Sequence, residues 1–533
     1  MKKQTKVMAT LSTAALLALG FSAVSMAAGW DNSTGAWRYL NNDGTEVVDS
    51  WKSANGNWFY LDSDGVMATD KLIEDESGSK VKYYYVDQYG AMVKNTWKAV
   101  AMDDDDNTDL DAEYWWYYFG SDGKAYTTDS NKPLTKSKVK TINGLKYAFD
   151  EEGHMLYGWT LADDHTQNDD DNKRWEHATY YFNGWNDGHA QTGWAQIPVE
   201  DDDDETQNYW FYFNGDGEKQ AGKRKKINGV YYVFADDGHM IDEWVLESKD
   251  ASGNTIYGTD FATTSDAGKI SYVNGDGAQR KNTWVYAIPD EKWITGDYDD
   301  DQYRWFYTDK SGNLINDVVK KINGKYYAFD SYGRMQTGFV QVIGGVDKIA
   351  AADDYSREQW ILNNKLDGKN TPIYNADEDV YFFSTDEAKD GARKTGYQNI
   401  EMSDDTYQFY FQKNGEGKTQ YDSKIKKYTI AGLILKPTNE DDNNYGVVEL
   451  EKQDKVFVPV NVYTNYDESY KDSDETVKYV LVNKQGTVVK GKTIKDENDQ
   501  YWKTNSDGVI INMAKDKDAY DAAKKATKES EKW

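Results

Sequence analysis

The side chains with chemistry to offer are aromatic rings at a repeated spacing. Trp58-Phe59-Tyr60-Leu61 is followed by Asp62-Ser63-Asp64-Gly65 and Met67. The phrase returns as Tyr83-Tyr84-Tyr85 with Gly90 and Met92, Trp116-Tyr117-Tyr118-Phe119 with Gly123, Trp210-Phe211-Tyr212-Phe213 with Gly217, and Trp305-Phe306-Tyr307 with Gly312. The face of such a ring attracts a cation that cannot hydrogen-bond, by about 0.5–2 kcal/mol per contact, and it also offers a flat surface to a sugar. Other chemistry is poorly supplied. The chain has no Cys, and of its five His, His154 and His239 precede a Met in equivalent turns, as duplicated structural residues do. His-Glu-x-x-His and Gly-x-Ser-x-Gly arrangements are absent, so metalloprotease and α/β-hydrolase readings lose their usual sequence support.

The elements that must position these rings are short β-strands. Aromatic and β-branched runs alternate with turns such as Asn42-Asp43-Gly44 and Asp236-Asp237-Gly238, the pattern of β-hairpins. Along a strand Trp58 and Tyr60 share one face and Phe59 and Leu61 the other, so both faces need cover. A lone hairpin is marginal in water, whereas hairpins stacked in a row cover one another. The expected fold is therefore all-β, a solenoid of stacked β-hairpin repeats. Ile142-Asn143-Gly144, Ile227-Asn228-Gly229 and Ile322-Asn323-Gly324 mark a longer period of duplicated blocks, closed by Met155, Met240 and Met335.

Composition narrows the partners. Hydrophobic residues make up 38% of the 533 and aromatic residues 15%, so Trp and Tyr must supply much of the buried area. The formal net charge of −30 argues against nucleic acid, whose phosphates this surface would repel. Residues 1–27 read as a secretion signal: Lys2, Lys3 and Lys6, an apolar stretch, then Ser25-Met26-Ala27. No other segment is apolar enough to span a membrane. With no disulfides to hold it, an exported chain must draw its stability from stacking.

These residues resemble the cell-wall-binding repeat family, also called choline-binding repeats, which is related to glucan-binding repeats. The family pattern is Gly-Trp, a spacer, Trp-Tyr-Tyr, a polar turn ending in Gly, then Met. Gly29-Trp30 with Trp37-Arg38-Tyr39 and Gly44 follows it, as does Ser50-Trp51 with Trp58-Phe59-Tyr60, Gly65 and Met67, apart from Ser50. Gly158-Trp159, Gly193-Trp194 and Glu243-Trp244 open later copies, the last departing at Glu243. The resemblance implies shallow aromatic boxes between neighbouring repeats that hold the choline groups of teichoic acid. Carried onto this chain, it nominates as ligand-binding the opening residues Trp30, Trp51, Trp97, Trp159, Trp194, Trp244 and Trp284, and the hairpin residues Trp37, Trp58, Tyr60, Trp116, Trp210 and Trp305. Peptidoglycan glycan and glucan remain alternative cell-wall partners.

Long acidic insertions separate opening Trp from triplet: Asp103–Asp106 with Asp109 and Asp111, Asp163-Asp164 with Asp169–Asp171, Glu200–Glu205, and Asp297 with Asp299–Asp301. Solvated loops are expected. Calcium could bridge such carboxylates, but none of the runs has EF-hand spacing, and no metal site or cofactor is assigned. The expected organisation is a signal (1–27), cell-wall-binding-type repeats (28–339), degenerate repeats (340–430), a divergent β region with worn repeats (431–513) and a short helical tail (514–533). The function expected is a secreted, non-catalytic wall-binding protein, held non-covalently at the cell wall or surface. The alternatives are a structural or adhesive surface protein presenting its acidic loops, and a wall hydrolase with a divergent domain in 340–480.

Overall fold

A computed structural model describes residues 28–102, 112–165, 173–200, 205–259, 261, 269–343, 378–385, 391–402, 405–437 and 444–530. The expected signal (1–27) and the acidic runs at 103–111, 169–171 and 201–204 lie outside the described residues. The chain divides into two units, residues 1–220 and 221–533.

In the first unit the building block is a two-stranded antiparallel hairpin. Ser50–Ala54 pairs with Asn57–Leu61, with Trp51 opposite Tyr60, Lys52 opposite Phe59 and Ser53 opposite Trp58. Asn55 and Gly56 both have positive φ (51° and 82°), the two-residue turn whose twist matches paired strands. The Ile-Asn-Gly copies use the same device, at Asn143-Gly144 in this unit and at Asn228-Gly229 and Asn323-Gly324 in the second. The alternation read from sequence gives the two faces different fates. Phe59 and Leu61 are buried, while Trp51, Trp58 and Tyr60 share the other, half-open face.

After each hairpin the chain makes a Gly turn and runs back along the stack. Asp62 accepts hydrogen bonds from the backbone N–H of Asp64 and Val66 (3.0 and 2.8 Å), which fixes the turn. Met67 N–H then donates to the carbonyl of Trp37 in the preceding hairpin (2.8 Å), and Ala68 N–H donates back to Tyr60 (2.9 Å). The link recurs at Met92 to Trp58, Ala125 to Tyr83, Met155 to Trp116, Ala190 to Lys146 and Lys219 to Thr179. Main-chain bonds thus set the register of the stack, and each hairpin contacts its neighbours in the row.

The second unit begins with the same block at Lys223–Ile227 and Val230–Phe234 and repeats the link, Gln279 N–H to Tyr231 and Leu314 N–H to Ile270. From Phe339 the core gathers Phe339, Phe382, Phe409 and Phe411 with Ile400, Leu435 and Val448, and Trp502 and Tyr470 are buried in a further cluster with Val447 and Leu481. Hairpin Gly396–Met402 and Asp405–Phe411 joins three short strands in a five-stranded sheet. The Val-rich alternation forms a strand, Val456–Tyr463, paired with Tyr445–Gln453. Helix Lys517–Ser530 ends the described chain. Two short helices inside insertions, Arg174–His177 and Thr295–Asp299, were not foreseen from sequence. No helix among the described residues is long and apolar enough to cross a membrane.

Candidate aromatic binding sites

An opening Trp lies directly across the strand pair from the last Tyr of its triplet, so the two rings share one face. The stacking register then brings a third ring from the following hairpin. Trp51 meets Tyr60 at 5.2 Å and Tyr84 at 5.0 Å, both edge-on, and the three half-enclose one another. Trp97 meets Tyr118 (5.2 Å) and Tyr147 (4.8 Å) in the same way. Trp30 lies with Tyr39 and Phe59, Trp159 with Tyr181 and Phe211, and Trp284 with Tyr307 and Tyr327. Edge-to-face packing leaves part of each Trp face turned away from its partners, the arrangement in which a cation meets several quadrupoles at once.

The remaining nominated residues divide by exposure. Trp58 (43%) and Trp210 (42%) are open to solvent, and Trp210 stands edge-on to Trp194 at 6.3 Å. Trp305 packs on Trp284 (6.0 Å) and on Tyr286 (4.7 Å). Trp37 and Trp116 are half-buried, and their carbonyls accept the axial bonds from Met67 and Met155. The indole N–H groups of Trp51 and Trp116 are buried with no hydrogen-bond partner.

Trp244 corrects the expectation. It is 3% exposed, enclosed by Tyr272, Phe306 and Trp293, and its Nε1 donates to the carbonyl of Ile288 at 2.7 Å. Trp293 fills the space that other copies leave open, so this ring is core. The rings missed from sequence are the cross-strand partners Tyr39, Tyr118, Tyr181 and Tyr307 and the next-hairpin partners Phe59, Tyr84, Tyr147, Phe211 and Tyr327. Alternation within each triplet carries the signal for the first set; the second depends on how hairpins stack.

The electrostatics of the Trp51 cluster favour a cation. Burial first, then the carboxylates of Asp49, Asp75 and Asp62, raise the Tyr60 phenol above its ordinary value. Carboxylates thus act on the Tyr60 side of the cluster, while Lys124 pulls in the opposite sense on Tyr84, whose phenol burial raises. Tyr147 is raised by burial and then by Asp187.

The acidic insertions are only partly solvated. Asp297, expected in an open loop, is 7% exposed and bridges Arg304 (2.8 Å) and Arg334 (3.0 Å). The turn His residues are held by carboxylates: His189 Nδ1 by Asp187 and His239 Nδ1 by Asp237, each at 2.7 Å. His154 Nδ1 lies 2.9 Å from Asp150 and 3.5 Å from Glu152, with the ring stacked on Trp115 at 4.1 Å. These three ligand-type atoms lie within 4.8 Å of one another in a turn whose hydrogen bonds already fix it.

Comparison with known proteins fits this geometry. A choline-binding repeat model matches residues 48–97, which span the Trp51 cluster, and a cell wall binding repeat model matches residues 116–125. Glucosyltransferase-S of Streptococcus mutans is 29% identical over 280 residues, 47% of this chain and 17% of that protein. Among solved structures, the modular autolysin LytC of Streptococcus pneumoniae aligns at 19% identity and a TM-score of 0.31, over 60% of this chain and 54% of LytC. Choline binding protein F of the same organism aligns at 17% identity and a TM-score of 0.27, over 73% of this chain and 98% of that one. The chain thus spans about half of LytC and a small part of the glucosyltransferase. Residues 48–97 thus match choline-binding repeats and residues 116–125 a cell wall binding repeat, and the hairpin, turn and axial bond seen there recur in other described copies.

Proposed function

We propose that the protein is a secreted, non-catalytic wall-binding protein, held non-covalently on a bacterial envelope by several aromatic boxes acting together. The observation that carries this is the Trp51 cluster: three rings around a half-open face, with the carboxylates of Asp49, Asp75 and Asp62 acting on Tyr60. A quaternary ammonium such as the choline of a substituted teichoic acid matches both its shape and its sign. Each contact is worth about 0.5–2 kcal/mol, and several on one rigid stack sum to firm retention.

A second reading has its own observation. Tyr286 and Tyr303, both 54% exposed, lie 5.2 Å apart with a tilt of 32°, and Trp305 extends the row. Such an open platform suits a neutral glycan better than a caged cation. Incubation of the purified protein with wall sacculi decides between them. Elution by excess choline supports the boxes, elution by soluble glycan supports the platform, and elution by EDTA would instead point to bridging calcium. Failure to sediment with sacculi at all would overturn wall binding.

A further inference from the structure

One aromatic box of the first unit already holds a cation, and the chain supplies it. Lys219 stands where Met67, Met92 and Met155 stand in other copies, and its backbone N–H makes the same axial bond, to Thr179. Its side chain turns back into the stack and is 8% exposed. The ammonium lies 5.4 Å from the centroid of Trp159 and 5.9 Å from that of Phe211, within the range of a cation–π contact for both rings. It also donates to the carbonyls of Trp175 and Glu176, in the last turn of the short helix inserted between the strands of that hairpin. Carbonyls near a helix C-terminus and two ring faces are all acceptors suited to an ammonium. By contrast, among the described residues no Lys or Arg lies over Trp51, Tyr60 or Tyr84. In the Trp97 cluster the cation contact is Lys140 on the adjoining Tyr126, at 5.6 Å.

We propose that Lys219 is the resident occupant of the Trp159 box, so that this box refuses an external quaternary ammonium while the boxes at Trp51 and Trp97 accept one. The assignment rests on the reading of these clusters as cation boxes and adds which of them are open. A trimethylammonium group entering at Trp159 would have to displace a positive charge hydrogen-bonded to two carbonyls, and would leave those carbonyls without it. Lys219→Met removes the occupant and installs the residue other copies use.

Titration calorimetry of the full chain with choline, in wild type, Lys219→Met and Trp51→Ala, tests it. The expected result is one additional site in Lys219→Met and one fewer in Trp51→Ala. A folded Lys219→Met protein with the wild-type number of sites would overturn the proposal. Absence of choline uptake by wild type and by Trp51→Ala alike would sink the box reading itself. Acetylation of wild-type lysines, followed by mass spectrometry, gives a readout that needs no variant. Lys219 should react at least about tenfold more slowly than exposed Lys225, as a side chain reached only through local opening does, and saturating choline should not change its rate. Faster acetylation of Lys219 with choline present would show that the ligand displaces it, and the proposal would fail.

Discussion

Met67 lies so close against Gly90 of the following hairpin that a β-carbon at Gly90 would come 2.8 Å from the Met67 methyl group. The two recurring residues of the sequence phrase, the turn Gly and the Met, are thus a contact pair between successive repeats. Met92 stands in the same relation to Gly123, and Ala125 to Gly153.

This pair sets a first prediction. Gly90 has φ of +79°, so Gly90→Ala carries both backbone strain of about 1–2 kcal/mol and a steric conflict of about 1–3 kcal/mol. Urea denaturation should show both losses. Adding Met67→Ala should recover only part of the loss, because the backbone strain and the Ala68 carbonyl, 3.1 Å from the new β-carbon, both stay. Full recovery or none would contradict the pairing.

The buried carboxylate network of the second unit gives a second. Asp297 bonds Arg304 and Arg334, and Arg334 Nε also bonds Asp330 at 2.7 Å. Asp297→Asn should cost about 2–3 kcal/mol, less than the roughly 3–5 kcal/mol of a fully buried pair, because Arg304 reaches solvent.

That loss should depend on pH in a defined direction. Burial alone would raise the Asp297 carboxyl, but hydrogen bonds from Arg304 and Arg334, with their charges, outweigh it and hold the group below its ordinary 3.8. The folded state then binds this proton less readily than the unfolded one, so the stabilisation is complete above the ordinary value and disappears as pH falls through the depressed one. The gap between wild type and Asp297→Asn should therefore be constant near neutrality and close below about pH 4. Asp330, raised chiefly by burial against the pull of Arg334, acts in the opposite sense and blunts the wild-type acid limb. A gap that widens on acidification would refute the assignment.

The contrast between Trp51 and Trp244 is a third test, of binding against packing. Trp51→Ala should weaken choline uptake at its own site by about 5–30-fold, the equivalent of 1–2 kcal/mol, enough to drop a weak site from the calorimetric count. Trp244→Ala should leave the number of choline sites unchanged and lower stability by about 3–5 kcal/mol, as loss of a core Trp does. Calorimetry and thermal melts of both variants check the pair.

Hairpins, their turns and the opening Trp positions were legible from sequence because each is encoded within a few residues. Asn55-Gly56 fixes its own turn, and Trp51 faces Tyr60 by alternation and register alone. The third ring of each box was not legible, because Tyr84 reaches Trp51 only through the axial bonds that set how far one hairpin is offset from the next. Trp244 read as an open ring because nothing local announces that Trp293, from an insertion in the next hairpin, will cover it. Asp297 read as solvated for a related reason: its partner Arg334 lies in another turn, brought near by stacking. The role of Lys219 was not legible at all, because its ammonium meets Trp159 and the Trp175 carbonyl only once the hairpins stack.

The axial link between repeats is made by backbone atoms, and among the described copies the residue that makes it is Met, Ala, Lys, Gln, Leu, Arg or Gly with the bond intact. Assembly and selectivity therefore sit on different atoms of the same position. A point mutation there keeps the backbone bond and changes what the side chain packs against, as Met67 packs against Gly90. Such a chain can diversify its ligands copy by copy without renegotiating its fold.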